Sequence, residues 1–535
     1  MLDSLLTHLT ILPIALPLLA GIILVLIEDR HHVLKLTISI VATLVLLAAS
    51  VALLVDTNAG GYNISTYQLG NWPAPFGIVL VADRLSTMMV VLNAVLALSA
   101  ALFASARWAR AGQHFHTLFQ LLLMGVNGAF LTGDLFNLFV FFEVLLAASY
   151  GLMLHGSGSL RVRAGLHYVA VNLVTSALFL IGVSLIYGVT GTLNMADLAL
   201  RIPLVPDDSR MLLEAGGAIL GIAFLVKAGM WPLSFWLPTT YAAASPPVAA
   251  MFAIMSKVGV YIILRLSLLL FGLEAGVSAH FGGQWLLYGG MATIAFGTIG
   301  VLSSQGMARM AGFSVLVSSG TLLAMIGYEN AGVTAGALYY LVNSTLALSC
   351  FYLLVELVER GRGAGADVLA VTLEAFGDDG EPEEEVGVAT PRTLALLGMA
   401  FVICAILLAG MPPFSGFLAK FAMIGAVLNL EGLGASDAVS GASWWLVALL
   451  IVSGLAAMIG LLRAGINTYW ISFDAEVPRI RVVEMLPVLL LLGLCLTLTV
   501  LAGPAMGYMQ AAAQDLHVPI GYLGSVLAGA DGGGQ

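Results

Sequence analysis

Long apolar runs recur along the whole chain, separated by short polar or basic stretches. Each is about 20 residues or more, enough for a helix to cross roughly 30 Å of hydrocarbon. Their limits predict fourteen membrane spans, at about 5–27, 33–55, 77–104, 115–133, 134–155, 162–190, 212–237, 246–271, 282–303, 309–327, 333–359, 392–430, 442–468 and 484–510. The runs are continuous and lack a two-residue alternation, which excludes a β-barrel. The predicted fold is an all-α polytopic membrane protein. Two spans are interrupted alike. AGMWPLSFWL (228–237) and AGMPPFSGFL (409–418) share the pattern A-G-M-x-P-x-S-x-aromatic-L. Each puts a proline, Pro232 or Pro413, where it removes a helical hydrogen bond.

Interrupted helices in corresponding positions are the mark of a transporter built from internal repeats. The breaks fall in spans 7 and 12, an odd offset, so the repeats are inverted. Spans 4–8 (111–275) form the first predicted unit and spans 9–13 (276–470) the second. Residues 1–110 hold helices 1–3, and 471–535 hold helix 14 and a tail, expected to be disordered after Gln510.

Composition agrees with this organisation. Of 535 residues, 60% are hydrophobic and 9% charged, against about 25% charged in soluble proteins. The first run has Asp3 and His8 around it and no basic leader, so it reads as a retained helix. Cys350, Cys404 and Cys495 stand singly in apolar runs, so neither a cysteine metal site nor a disulfide framework is expected. Much of the net charge of −10 comes from an acidic stretch within 360–391, GDDGEPEEEVG, which reads as a solvated loop. Basic residues set the orientation. With the N-terminus outside, thirteen basic residues fall on the cytoplasmic side: Lys35 and Arg30, 107, 110, 161, 163, 309, 360, 362, 392, 463, 479 and 481. Four fall outside: Arg84, Arg201, Arg210 and Arg265. Both ends are therefore predicted to be outside, with 360–391 cytoplasmic.

The chain has only four lysines, and Lys227, Lys257 and Lys420 lie within spans. A charge at mid-bilayer costs at least about 2.5 kcal/mol. A lysine near a helix end could instead snorkel to the interface, a reading that suits Lys420 better than Lys227 or Lys257. Glu143 is the one acid near the centre of a span, and Lys227 is its expected partner. A structural salt bridge would explain that pair but leave Lys257 and Lys420 without an acid. A desolvated ammonium gives up its proton more readily than one in water, and while protonated it has no lone pair for a metal cation. A line of lysines therefore reads as a proton relay. Ser234, Thr239, Thr240, Ser245, Ser256, Asn343 and Ser415 could hold bridging water, although each alone more often serves a helix–helix hydrogen bond.

Three stretches carry a resemblance: LTGDLFNLFVFFEVLLAASYGLML around Glu143, FLVKAGMWPLSFWLPTTYAAASPPVAAMFAIMSKVGVYIILR (224–265), and AGMPPFSGFLAKF (409–421). They resemble the proton-translocating antiporter-like subunits shared by respiratory complex I, membrane-bound hydrogenases and Mrp-type Na⁺/H⁺ antiporters, and GDLFNLFVFFEV looks most like the D-type member of the Mrp group. The resemblance covers all fourteen spans. It implies that Glu143, Lys227, Lys257 and Lys420 form the proton path. It implies a hetero-oligomeric antiporter in a bacterial inner membrane, exchanging protons for a monovalent cation (Na⁺, K⁺ or Li⁺). No nucleic-acid partner is expected. No NAD, flavin or metal motif is present, so no cofactor or redox chemistry is expected. A proton-pumping subunit of a redox complex and a stand-alone inverted-repeat transporter remain as alternatives. Relatives often carry a histidine or lysine on span 11, whereas YYLVNSTLALSCFYLLVEL (339–357) offers only amide and hydroxyl groups before Glu356. The short stretch after span 14 lacks the lateral helix expected of the largest complex I antiporter-like subunit.

Overall fold

The structure is a computed structural model and describes residues 8–28, 30–59, 63–360, 392–429, 439–469 and 480–531. Every predicted span contains helix among the described residues. The helices are α1 (Leu12–Leu26), α2 (His32–Asn58), α3 (Arg84–Ala106), α4 (Phe115–Leu131), α5 (Leu135–Leu154), α6 (Ser159–Thr190), α7a (Asp207–Ala228), α7b (Leu237–Ala243), α8 (Pro246–Leu270), α9 (Gly283–Ser303), α10 (Met307–Ile326), α11 (Ala331–Glu359), α12a (Arg392–Ala409), α12b (Ser415–Leu428), α13 (Gly441–Tyr469) and α14 (Val482–Val500). Twelve of the described helices are individually long and apolar enough to cross a membrane, and α1, α4 and α12b are shorter apolar helices.

The bundle is built around α8 and α11. All of the most apolar stretch of α8 and 89% of that of α11 are buried, against 33% for α2. Anything on α8 therefore faces protein on every side, whereas most of α2 lies on the outside of the bundle. α8 packs on α3, α7a, α10 and α11, and α11 packs on α10, both halves of α12, and α14. Small residues let backbones meet, as expected where no water drives helices together. Gly290 of α9 faces Gly320 of α10, and Gly182 of α6 faces Gly216 of α7a.

Two expectations need correction. The third span starts at Arg84, not near 77, because Val79–Ala82 is a strand paired antiparallel with Ser65–Gln68. Asp83 then caps α3: its Oδ1 accepts from the Ser86 amide at 2.8 Å and its own amide donates to Ser86 Oγ at 2.9 Å. The region after Gln510 is also not a disordered tail. The span ends at Val500, and helices α15 (Ala502–His517) and α16 (Ile520–Asp531) follow. Met509, Ala512, Ala513 and Leu516 form a buried stripe at helical spacing, and Tyr522 and Val526 are buried on α16. Residues 361–391 of the acidic loop, with Arg362, lie outside the described residues, as do Arg479 and the closing GGGQ.

Candidate functional site

The two breaks are the same structure built twice. α7a ends at Ala228 and Gly229 turns left-handed at φ 78°. The Met230 amide donates to the Leu225 carbonyl at 3.0 Å, and that of Gly229 to Val226 at 3.2 Å. α12a ends at Ala409, Gly410 has φ 70°, and Met411 and Gly410 donate to Ile406 and Leu407 at 3.1 and 3.3 Å. Both are Schellman closures, which glycine alone adopts without strain. The motif that breaks each helix therefore also satisfies most of its exposed end.

A lysine flanks each break, but the two act differently. Lys227 sits in the last turn of α7a, fully buried. Its Nζ donates to Tyr168 Oη at 3.3 Å and Asn172 Oδ1 at 3.4 Å, one turn apart on α6. The ammonium also lies 5.4 and 5.7 Å from the ring centres of Tyr168 and Phe142, a cation–π setting. At this break the Val226 carbonyl is taken by the Trp236 indole at 3.2 Å. At the second break Lys420 caps the helix end instead: its Nζ donates to the Ala409 carbonyl, the last of α12a, at 3.0 Å and to Leu450 at 3.4 Å. A cation at the negative end of α12a is well placed. Lys420 is buried, so it does not snorkel to the interface.

The expected Glu143–Lys227 contact is not made. Glu143 is half-buried on α5, where Ser176 of α6 donates to its Oε1. α6 inserts its own polar groups between the acid and the lysine. Lys257, fully buried on α8, meets no acid either. Its Nζ donates to Ser318 Oγ at 2.8 Å and Ser319 Oγ at 3.3 Å, both on α10. Among the described residues, none of the three membrane lysines makes an ion pair.

Gly259 fixes α8 against α7a. A Cβ there would stand 2.8 Å from both the Ala228 amide nitrogen and the Phe224 carbonyl oxygen. The helices bearing Lys227 and Lys257 thus touch backbone to backbone.

Of the other polar candidates, Asn343 and Ser415 pair at 2.6 Å between α11 and α12b. Thr240, Thr239 and Ser256 bond carbonyls of their own segments. The Ser234 and Ser245 hydroxyls are buried without a protein partner.

The chain as a whole has known relatives. The family model "NADH:quinone oxidoreductase/Mrp antiporter, TM" matches residues 132–444, more than half of the chain. The chain belongs to this family. The D subunit of a probable K⁺/H⁺ antiporter of Rhizobium meliloti is 60% identical over 99% of both chains. The D subunit of the Na⁺/H⁺ antiporter of Alkalihalophilus pseudofirmus is 34% identical over 97% of this chain and 99% of its own. Among solved structures, a chain of the Mrp complex from Dietzia sp. superposes with a TM-score of 0.81 at 26% identity, covering 98% of this chain and 100% of that one. A chain of Thermus thermophilus respiratory complex I shares the fold, with a TM-score of 0.73 at 20% identity over 96% and 99% of the two chains.

This member of the family holds two features that sequence reasoning missed. One is the set of lysine partners on α6 and α10. Their signal was a polar residue inside an apolar run: Tyr168 and Asn172 one turn apart, and the adjacent Ser318 and Ser319. The other is a charge cluster at the far end of α8. Arg265 grips Asp83, with Nη2 donating to Oδ1 at 2.9 Å and Nη1 to Oδ2. Tyr261 Oη accepts from Arg265 at 3.2 Å and donates to the Phe130 carbonyl at 2.5 Å. Arg84 pairs with Asp515 of α15 at 2.8 Å, and the Tyr522 ring of α16 lies 5.3 Å from the Arg265 guanidinium.

Proposed function

We infer that this chain is the proton-conducting subunit of a multisubunit monovalent cation/proton antiporter, and that Glu143, Lys227, Lys257 and Lys420 carry its protons. The observation that carries this reading is the state of the three lysines. Each is buried inside a bundle of membrane helices, and each is held by hydroxyl, amide or carbonyl groups in place of a carboxylate. A buried ion pair would lock the ammonium in its charged form. Neutral partners bind the ammonium and can also serve a neutral amine, so the proton can leave.

The matched Schellman breaks support two inverted units, α4–α8 and α9–α13. The excess of basic residues on alternate loops supports both ends lying outside the membrane, and bacterial relatives support the inner membrane of a bacterium. The relative with the higher identity is named for K⁺/H⁺ exchange, which favours K⁺ as the cargo. The remaining subunits of the complex complete the cation route.

The test uses the whole complex in inverted vesicles, with cation-driven recovery of a quenched pH-sensitive dye as the signal and native gels as the assembly check. Lys257→Ala and Lys257→Arg should both assemble and both lose exchange, because a guanidinium keeps its proton in the working range. Near-normal exchange with Arg would reduce Lys257 to a structural cation. A larger signal with Na⁺ than with K⁺ would overturn the cargo assignment.

A further inference from the structure

Lys257 and Lys420 lie in different repeats, and α11, which packs between their helices, carries neither histidine nor lysine. Yet the polar groups between the two lysines are nearly continuous. Lys257 Nζ donates to Ser318 Oγ at 2.8 Å, and Ser318 Oγ donates onward to Ser344 Oγ of α11 at 2.9 Å. Ser318 and Ser344 then line a cavity of about 30 Å³ whose wall also includes Asn343 and Lys420. A water needs about 10–15 Å³ of such space and two to four polar partners. This cavity offers both.

Serines in membrane helices commonly turn back to a carbonyl of their own helix. Two others on this cavity wall do so: Ser314 to Met310 at 2.9 Å and Ser453 to Leu450 at 2.9 Å. Ser318 instead spends its one proton on the neighbouring helix. Ser344 donates only a long bond to its own Leu341 carbonyl, at 3.3 Å, and a rotation about Cβ–Oγ would turn that proton into the cavity while Oγ stays bonded to Ser318. Asn343 adds a partner. A hydroxyl has one proton. Ser415 Oγ donates to Asn343 Oδ1 at 2.6 Å and also lies 3.0 Å from the Cys495 carbonyl, which leaves the Asn343 amide nitrogen as a donor for a water in the cavity.

We propose that the Ser318–Ser344 hydroxyl pair, with one water in this cavity, carries the proton between Lys257 and Lys420. This rests on the relay reading above. The step balances proton by proton. An N–H bond of the Lys257 ammonium breaks as an O–H bond forms on Ser318. The original Ser318 proton passes to Ser344, the Ser344 proton to the water, and a water proton to the lone pair of a neutral Lys420 amine. Lys257 ends neutral and Lys420 charged, and each oxygen keeps the number of protons it began with. Rotation of the two hydroxyls and the water resets the chain.

The decisive comparison is Ser344→Thr against Ser344→Val, two side chains of the same shape that differ in the hydroxyl. In the whole complex in inverted vesicles, Thr should keep exchange within about threefold and Val should lose about tenfold or more, with equal assembly on native gels. Ser318→Thr and Ser318→Val should divide the same way. If a branched side chain is not accepted at either site and both variants of the pair are inactive, Ser344→Ala and Ser318→Ala decide. Loss of exchange in assembled complex supports the step, and near-normal exchange overturns it. Lys257→Ala and Lys420→Ala separate the two levels. If they exchange normally, the relay falls and this step with it. If they are inactive while the Val and Ala serine variants work, only the hydroxyl step falls.

Discussion

Removing the Asp83 carboxylate should nearly unfold this protein, and removing its partner as well should restore it. Asp83 does two jobs. It caps α3, a role worth about 1 kcal/mol. It also neutralises Arg265 at a site where the two side chains are 6% and 9% exposed, so solvent screening offers little discount. Stripping one member from a buried pair costs about 3–5 kcal/mol. Asp83→Ala therefore loses about 4–6 kcal/mol in all, a large share of the roughly 5–15 kcal/mol that holds a typical fold. The Tyr261 hydroxyl and the Tyr522 ring remain to shelter the guanidinium, which favours the lower figure. Asp83→Asn keeps the cap and isolates the charge term at about 3–5 kcal/mol. Asp83→Asn with Arg265→Leu removes both charges and should return to within about 1 kcal/mol of the parent. The assay heats the detergent-solubilised complex and follows the surviving native-gel band. Each single variant should melt well below the parent and the double variant close to it. A double variant less stable than either single one, by about the sum of their two losses, would show that the two residues act separately.

Two further outcomes follow from packing and burial. Gly259→Ala should cost about 1–3 kcal/mol, because its new carbon has only the α7a backbone to push on; Gly221→Ala on α7a, with nothing within 4 Å, should be tolerated or slightly stabilising, and equal melting temperatures for the two would refute the contact. Burial pushes the His517 imidazole at the end of α15 down to about 4, so docking of α15 should be at full strength above pH 6.5 and weaken by about 3 kcal/mol as pH falls from 6.5 through 4. Hydrogen exchange over 502–531 should rise in that window, and His517→Leu should abolish the rise.

The spans were legible because hydrocarbon forces each one into a long apolar run, and no loop in this chain imitates that. The breaks were legible because proline and glycine act locally, at Gly229 and Pro232 and again at Gly410 and Pro413. Partners were harder to read. Glu143 and Lys227 are the natural pair among the charges, but the sequence does not show that α6 inserts Ser176, Tyr168 and Asn172 between them. The ribbon at 65–82 escaped because Val79–Ala82 is as apolar as the helix it precedes, and only the Asp83–Ser86 cap marks the change. The helices after Val500 do leave a trace, since the stripe at 509, 512, 513 and 516 has helical spacing, but its small and polar neighbours resemble a solvated tail. Asp83 with Arg265 spans 182 residues, and no local pattern announces a contact that distant.

The backbone contact at Gly259 has a consequence for direction. Helices that meet without side chains between them resist sliding at that point, so the backbones that carry Lys227 and Lys257 are held together. Whatever changes there must be a rotamer, a proton or a water. Fixed posts of this kind do not prefer one sense of flow, since every hop along them can be retraced. On the proposed relay, rectification then comes from outside the line, from the other subunits of the complex. This chain would be the conductor of the exchanger, and the valve would belong to its partners.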